Sequence, residues 1–99
     1  MAMVWLVERQ IERVESFAQV VLFDKSGKRL PRFRCGIPAY PYKAPEGDDC
    51  TVQEWLQTRF KPLYSDMQVS IFVPDYHGRM HKALDKMKLD FVRQRARLL

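Results

Sequence analysis

Residues that break regular structure are concentrated in one segment of this chain, between Gly36 and Asp49. Three prolines and two glycines stand within these fourteen residues, at positions 36, 38, 41, 45 and 47. Proline removes a backbone donor and glycine weakens both helices and strands, so the segment is predicted to be a long loop. A loop of this length in a compact domain is typical of a functional or partly mobile segment. Helices and strands are therefore expected only before and after it.

The first part of the chain has the spacing of an amphipathic helix. Apolar residues step by three and four positions from Val4 to Val21, and charged residues fill most of the remaining positions of the first two turns. No capping residue precedes this pattern, and the like-charged pairs four positions apart give it little support. A strand over the same residues is the alternative, so the pattern favours a helix over residues 4–14 but leaves both open.

A β-hairpin is predicted over residues 17–35. An apolar run ends at Phe23 and is followed by Asp24-Lys25-Ser26-Gly27 and then by a second extended run to Cys35. The aspartate side chain can accept turn hydrogen bonds and Gly27 can adopt a positive φ, which is typical of a tight hairpin turn. Pro31 cannot donate to a ladder, so the second strand is expected at a sheet edge.

Three elements are predicted after the loop. Thr51 and Glu54 have the spacing of a capping box, which predicts a helix that ends before Pro62. Alternating apolar residues predict a strand over Met67–Val73. An apolar stripe from Met80 through Leu84, Met87 and Phe91 to Leu98 predicts a terminal helix.

This order of elements predicts one α+β domain over residues 1–99. We expect a small, mainly antiparallel sheet of about three strands, including the 17–35 hairpin, packed against two or three helices. A chain of this length buries only around 60 to 70% of its unfolded surface, so its core is thin. A homodimer is expected for this reason.

The net charge favours an acidic partner. Seventeen basic residues against twelve acidic ones leave a formal charge of +5, which suits nucleic acid first and an acidic protein second. Six cations fall between Lys25 and Lys43, with Asp24 as the single acid at their border, and a second basic cluster ends the chain. The predicted contacts are Arg32, Arg34, Lys43, Arg93 and Arg97, with Tyr40 and Tyr42 as stacking rings. This hypothesis requires both clusters to lie on one face.

Two other interpretations remain open for the same residues. Charges beside Pro31 protect a sheet edge from aggregation, and terminal arginines complement a helix dipole. Large groups such as Trp5, Tyr42, Tyr76 and Leu98 are hard to bury in one thin domain, so they favour an interaction or assembly module. For Trp55, on the predicted helix stripe, a core position is expected.

No pattern typical of catalysis or of a bound cofactor is present. His77 and His81 are four positions apart, but Cys35 and Cys50 are too widely spaced for a typical zinc site. A thiol nucleophile, Cys50 with a histidine, is the only enzyme hypothesis, and the sequence does not bring the two together. We therefore expect neither an enzyme, a cofactor nor a metal.

The expected location is the cytoplasm. The longest uncharged, largely apolar stretch has eight residues, from Ser16 to Phe23, whereas a membrane-spanning helix needs roughly 20. No secretory leader pattern opens the chain.

Overall fold

The computed structural model describes residues 1–98, which form a three-stranded antiparallel sheet and three α-helices, one of them extended by a π-helix. The α+β class is as predicted. The elements are α1 (Val4–Glu15), β1 (Gln19–Asp24), α2 (Val52–Trp55), the π-helix (Leu56–Phe60), β2 (Met67–Pro74), β3 (Met80–Lys82) and α3 (Leu89–Ala96).

The central strand of the sheet is β2, which lies between β1 and β3. In the register, Val20 pairs with Ile71 on one side and His81 pairs with Val73 on the other. Residues 4–15 are helical, so the strand alternative for this segment is wrong. This helix buries Val4 and Val7 against the sheet layer.

The predicted 17–35 hairpin forms only its turn. Asp24 Oδ1 accepts hydrogen bonds from the backbone N–H groups of Ser26 and Lys28, and Gly27 adopts φ +88°. Beyond the turn a single bridge joins Phe23 to Arg29, and the partner strand of β1 is β2 instead. The prediction of a second strand up to Cys35 is therefore wrong.

The segment after Pro31 binds the N-terminus of α1 instead of pairing as a strand of the sheet. Helix α1 has no side-chain cap, and the first N–H groups of a helix lack partners within the helix. The carbonyl of Arg34 accepts from Val4 N at 2.9 Å, and the carbonyl of Arg32 accepts from Trp5 N at 3.1 Å. Pro31 has no N–H to donate to a β-ladder. Because the carbonyls of Arg32 and Arg34 also accept from the first N–H groups of α1, this segment does not join the sheet.

The predicted terminal helix is also too long. Residues Met80–Lys82 form β3, which pairs with β2, and only Leu89–Ala96 are helical. The turn between β2 and β3 explains the difference, because Asp75 Oδ1 accepts from the N–H groups of His77 and Arg79 and Gly78 adopts φ +81°. This turn repeats the chemistry of the turn at Asp24.

The predicted loop, the helix after Thr51 and the strand over Met67–Val73 are confirmed. Residues 36–49 contain no helix and no strand, apart from the single bridge of Ile37 to Ala2. The capping box is complete, with Thr51 Oγ1 accepting from Glu54 N and Glu54 Oε1 accepting from Thr51 N. Trp55 is fully buried, with the ring of Phe17 edge-on at 5.4 Å.

No helix within residues 1–98 combines the length and the apolar character that crossing a membrane requires.

Candidate nucleic-acid interface

Two glutamates of α1 bind backbone N–H groups of β1. Glu8 Oε2 accepts a hydrogen bond from Leu22 N at 2.8 Å, and Glu12 Oε2 accepts from Val20 N at 2.9 Å. Both carboxylates thus occupy the outer edge of β1, where a further strand would otherwise pair. Burial raises the pKa of Glu12 above its usual value, and the hydrogen bond from Val20 opposes this shift.

The third glutamate of α1, Glu15, is fully buried among cations. It accepts hydrogen bonds from Tyr40 Oη at 2.5 Å, Arg59 Nη1 at 2.7 Å and Arg93 Nη2 at 3.1 Å. Trp55 Nε1 donates to the Tyr40 hydroxyl. Burial, and then the hydrogen bond to Glu15, raise the pKa of Tyr40 well above its usual value. We call Glu15, Tyr40, Arg59 and Arg93 the Glu15 cluster.

The Glu15 cluster fixes the long loop. Arg59 Nη1 donates to the carbonyl of Ala44, and Glu46 N donates to Glu15 Oε1. Arg93 Nη1 lies 2.6 Å from Asp48 Oδ1. The loop therefore has a defined path over residues that carry no regular structure of their own, and that path sets the position of Tyr42 and Lys43.

The arginines of α1 point to solvent, in contrast to its glutamates. Arg9 and Arg13 are exposed, whereas Glu8 and Glu15 are buried. Helix α1 carries three glutamates and two arginines, but the carboxylates accept hydrogen bonds from backbone N–H groups or from buried arginines. The outward face of α1 is consequently basic.

Two grooves follow this outward face. The first has a volume of about 460 Å³ and lies between α1 and β1, with Arg9, Arg29 and Arg32 among its lining residues. The second, of about 990 Å³, lies on the side of the long loop and is lined in part by Arg13 and Lys43. Trp5, Arg9 and Glu12 line both grooves, so the two are adjacent.

We call this region the α1 surface. Its members are Arg9, Arg13, Arg29, Arg32 and Lys43, with the rings of Trp5 and Tyr42. The Arg59 guanidinium lies 4.3 Å from the centre of the Tyr42 ring, and the Tyr40 ring meets Tyr42 edge-on at 5.2 Å. Both contacts hold the Tyr42 ring in place at the groove wall.

The seven predicted contact residues do not share one face. Arg32, Lys43 and Tyr42 belong to the α1 surface. Tyr40 and Arg93 are each 6% exposed, and their polar groups are directed at Glu15. Their prediction as outward contacts is therefore wrong.

The two predicted basic clusters lie at opposite ends of α1. Arg34 is exposed beside the first residue of the helix, whereas α3 contacts the last one through Arg93. Twelve residues of helix separate these ends, which corresponds to about 18 Å. Arg97 is exposed one turn beyond Arg93, so it lies towards the end of α1 that is remote from Arg32 and Arg34.

Sequence reasoning missed Trp5, Arg9 and Arg13 as members of the interface. A signal was present, because Glu8 and Glu15 continue the three and four spacing of Val4 and Ile11. Residues on that stripe face the protein. The arginines next to them then have to face solvent.

His81 and Cys50 are among the candidate side chains that the sequence contains for metal binding or catalysis. His81 Nε2 lies 2.8 Å from Asp75 Oδ2 on the exposed β2–β3 turn. Within residues 1–98 no group of three side chains is placed to hold a metal ion. Burial, and then the carboxylates of Glu46, Glu54 and Asp49, raise the pKa of the Cys50 thiol, which lowers the fraction of reactive thiolate at neutral pH.

Comparison with known proteins finds no family model, no curated protein and no solved structure that matches this chain.

Proposed function

We propose that this protein is a small, non-enzymatic binding protein whose α1 surface engages an acidic partner, nucleic acid being the first candidate. The observation that carries the proposal is the division of charge on α1. Five cations from three separate segments line two adjacent grooves, while Glu8 accepts from backbone N–H and Glu15 from buried arginines. The one carboxylate left at the surface, Glu12, already accepts from Val20 N and lies 3.9 Å from Arg9.

The chemistry of the α1 surface fits a phosphate backbone with accessible bases. Guanidinium and ammonium groups neutralise phosphates, and aromatic rings such as Trp5 and Tyr42 offer stacking faces. Each phosphate contact to a single strand adds about −0.7 to the slope of log K against log salt concentration. If all five cations meet phosphates, the slope approaches about −3.5.

The test is fluorescence anisotropy with labelled single-stranded and double-stranded oligonucleotides over a salt series. The variant Arg29→Gln/Arg32→Gln removes two cations of the α1 surface and is expected to reduce the slope by about 1.4. The matched control Lys86→Gln/Arg97→Gln removes two exposed cations outside it, so its slope should equal that of the wild type. Absence of salt-dependent binding at low ionic strength, or equal losses in both variants, contradicts the proposal.

A second candidate function is assembly through the surface formed by the β2–β3 turn and α3. Tyr76 is 84% exposed and Phe91 45% exposed, and the Arg95 guanidinium lies 4.4 Å from the Tyr76 ring and 5.7 Å from the Phe91 ring. Exposed aromatic rings with an arginine are typical of protein interfaces. We propose that a homodimer forms here. Light scattering should give a dimer mass for the wild type and a monomer mass for Tyr76→Ser/Phe91→Ser, and a monomeric wild type would contradict it.

The proposed location is the cytoplasm. Cys35 and Cys50 are both unpaired, which supports a reducing compartment.

A further inference from the structure

The two edges of the sheet differ in how many of their backbone N–H and C=O groups are hydrogen-bonded. At the β1 edge, the N–H groups of Val20 and Leu22 donate to glutamates of α1, and Leu30 N donates to the Leu22 carbonyl at 3.0 Å. Side chains and the segment after the turn thus occupy this edge. Natural sheets commonly protect an edge in this way.

The opposite edge of β2 is covered over only part of its length. Strand β3 pairs with Phe72, Val73 and Pro74, and Ala83 N extends the pairing to the Ile71 carbonyl. Residues 67–70 have no strand beside them on this side. Met67 N already donates to the Tyr64 carbonyl at 3.0 Å, so the open part of this edge is centred on Val69.

The backbone of Val69 points towards this open edge. Val69 is paired in register with Leu22, but the N–H and C=O of Leu22 bond to Glu8 and Leu30. Because hydrogen-bonded and non-hydrogen-bonded pairs alternate in an antiparallel ladder, the Val69 N–H and C=O face away from β1. Within the described chain, neither group has a hydrogen-bond partner.

An apolar crevice adjoins the open edge. It has a volume of about 200 Å³ and lies between the edge and the helical segment of Val52, Leu56 and Phe60, with Met67 and Val69 on the strand side. Small-molecule sites usually measure about 300–1,000 Å³. The crevice is better matched by one or two side chains of a bound peptide, because alternate residues of an added strand project to the same face.

The charges around the crevice indicate the character of that peptide. Lys61 and Lys82 line it and are exposed, and Asp85 is the single acidic residue among its lining side chains. An acidic residue flanking the apolar positions of the ligand would meet one of the lysines. Neither lysine belongs to the α1 surface.

We propose that β2 binds an extended segment of a partner protein as an additional strand beside residues 67–70, with apolar side chains in the crevice and an acidic residue at Lys61 or Lys82. Backbone hydrogen bonds to Val69 provide the affinity, and the crevice and the lysines provide the selectivity. This inference goes beyond the proposed nucleic-acid function and uses other residues.

The test uses a labelled eight-residue peptide that alternates valine with threonine and carries glutamate at both ends. Its matched control has the same sequence with N-methylated valines, because a valine that enters the crevice must also pair with the backbone of Val69. We expect binding of the first peptide and at least tenfold weaker binding of the second. Hydrogen exchange should show a fast Val69 amide in the free protein and a protected one in the complex.

The variant Lys61→Glu/Lys82→Glu is expected to weaken peptide binding at least tenfold. Arg29→Glu/Arg32→Glu, on the α1 surface, is the control for the same change in charge and should bind the peptide as the wild type does. All four side chains are exposed, and an unchanged urea midpoint verifies folding of each variant.

Three outcomes would overturn the inference. One is no binding of the peptide at about 1 mM, the affinity of a very weak complex. The second is equal binding of the N-methylated peptide. The third is a Val69 amide already protected in the free protein through dimerisation, because a second copy would then occupy the edge.

Discussion

Replacing Glu15 with alanine should destabilise the protein strongly, because Arg59 and Arg93 would lose their shared buried carboxylate. The Glu15 side chain is fully buried, and those of Arg59 and Arg93 are 15% and 6% exposed. Removing one partner of a buried ion pair costs about 3–5 kcal/mol. Each arginine keeps a second, more exposed carboxylate, Glu46 at 3.4 Å and Asp48 at 2.6 Å. We therefore expect the lower limit, about 3 kcal/mol.

Urea unfolding followed by tryptophan fluorescence measures this loss. An m-value of about 1.5 kcal/mol/M converts 3 kcal/mol into a decrease of about 2 M in the midpoint. The control Glu12→Ala removes a carboxylate that is partly exposed and accepts one backbone hydrogen bond, so it should cost only about 1 kcal/mol.

A third variant shows whether the stability lost in Glu15→Ala comes from leaving two arginines buried without their carboxylate or from the loss of the contacts themselves. Replacing each of Glu15, Arg59 and Arg93 by methionine also removes the two buried cations that Glu15→Ala leaves without their shared carboxylate. This triple variant should therefore recover much of the stability lost in Glu15→Ala. A loss below about 1 kcal/mol for Glu15→Ala, or a triple variant less stable than Glu15→Ala, would refute the reasoning.

Three further predictions concern single side chains. Burial raises the pKa of Tyr64 to about 12 and that of Tyr40 above the ordinary value of 10.0, so the stability that both contribute is complete below pH 10 and decreases as the pH rises towards 12. Urea unfolding at pH 9 to 11 should show this decrease, and a flat profile would contradict it. Thr51→Ala should cost about 1 kcal/mol through loss of the capping box, measured by the urea midpoint, and no change would show that the cap contributes nothing. Cys50 should react with a thiol reagent at pH 7 more slowly than free cysteine, because burial and nearby carboxylates raise its pKa, and faster labelling would restore the thiol-nucleophile hypothesis.

Features that depend on neighbours in sequence were predictable. The capping box of Thr51 and the turn at Asp24 need only residues within four positions, and both are present in the structure. The turn at Asp75 has the same Asp-x-x-Gly spacing and the same hydrogen bonds. It was obscured by the apolar residues that follow at helical spacing from Met80, because periodicity alone does not distinguish a short strand from the start of a helix.

The candidate site was predictable only in part. The basic segment supplies Arg32 and Lys43 to the α1 surface, as the charge clustering indicates. The sequence predicts an exposed Arg93 because basic residues cluster around it in the predicted terminal helix. Its partner Glu15 lies 78 positions away in the sequence. The residues near Arg93 in the sequence therefore do not predict that it binds a buried carboxylate.

The sequence by itself determined the α+β class, the positions of the capped helix and the loop, and the excess of positive charge. Only the tertiary structure decided that residues 4–15 are helical, that β1 pairs with β2, and that Glu8 and Glu15 are buried while Arg9 and Arg13 face solvent. The physical reason is the range of the contacts. A turn or a cap is satisfied by adjacent residues, whereas Glu8 and Glu15 are satisfied by Leu22 and Arg93, which approach them only when the whole chain has folded.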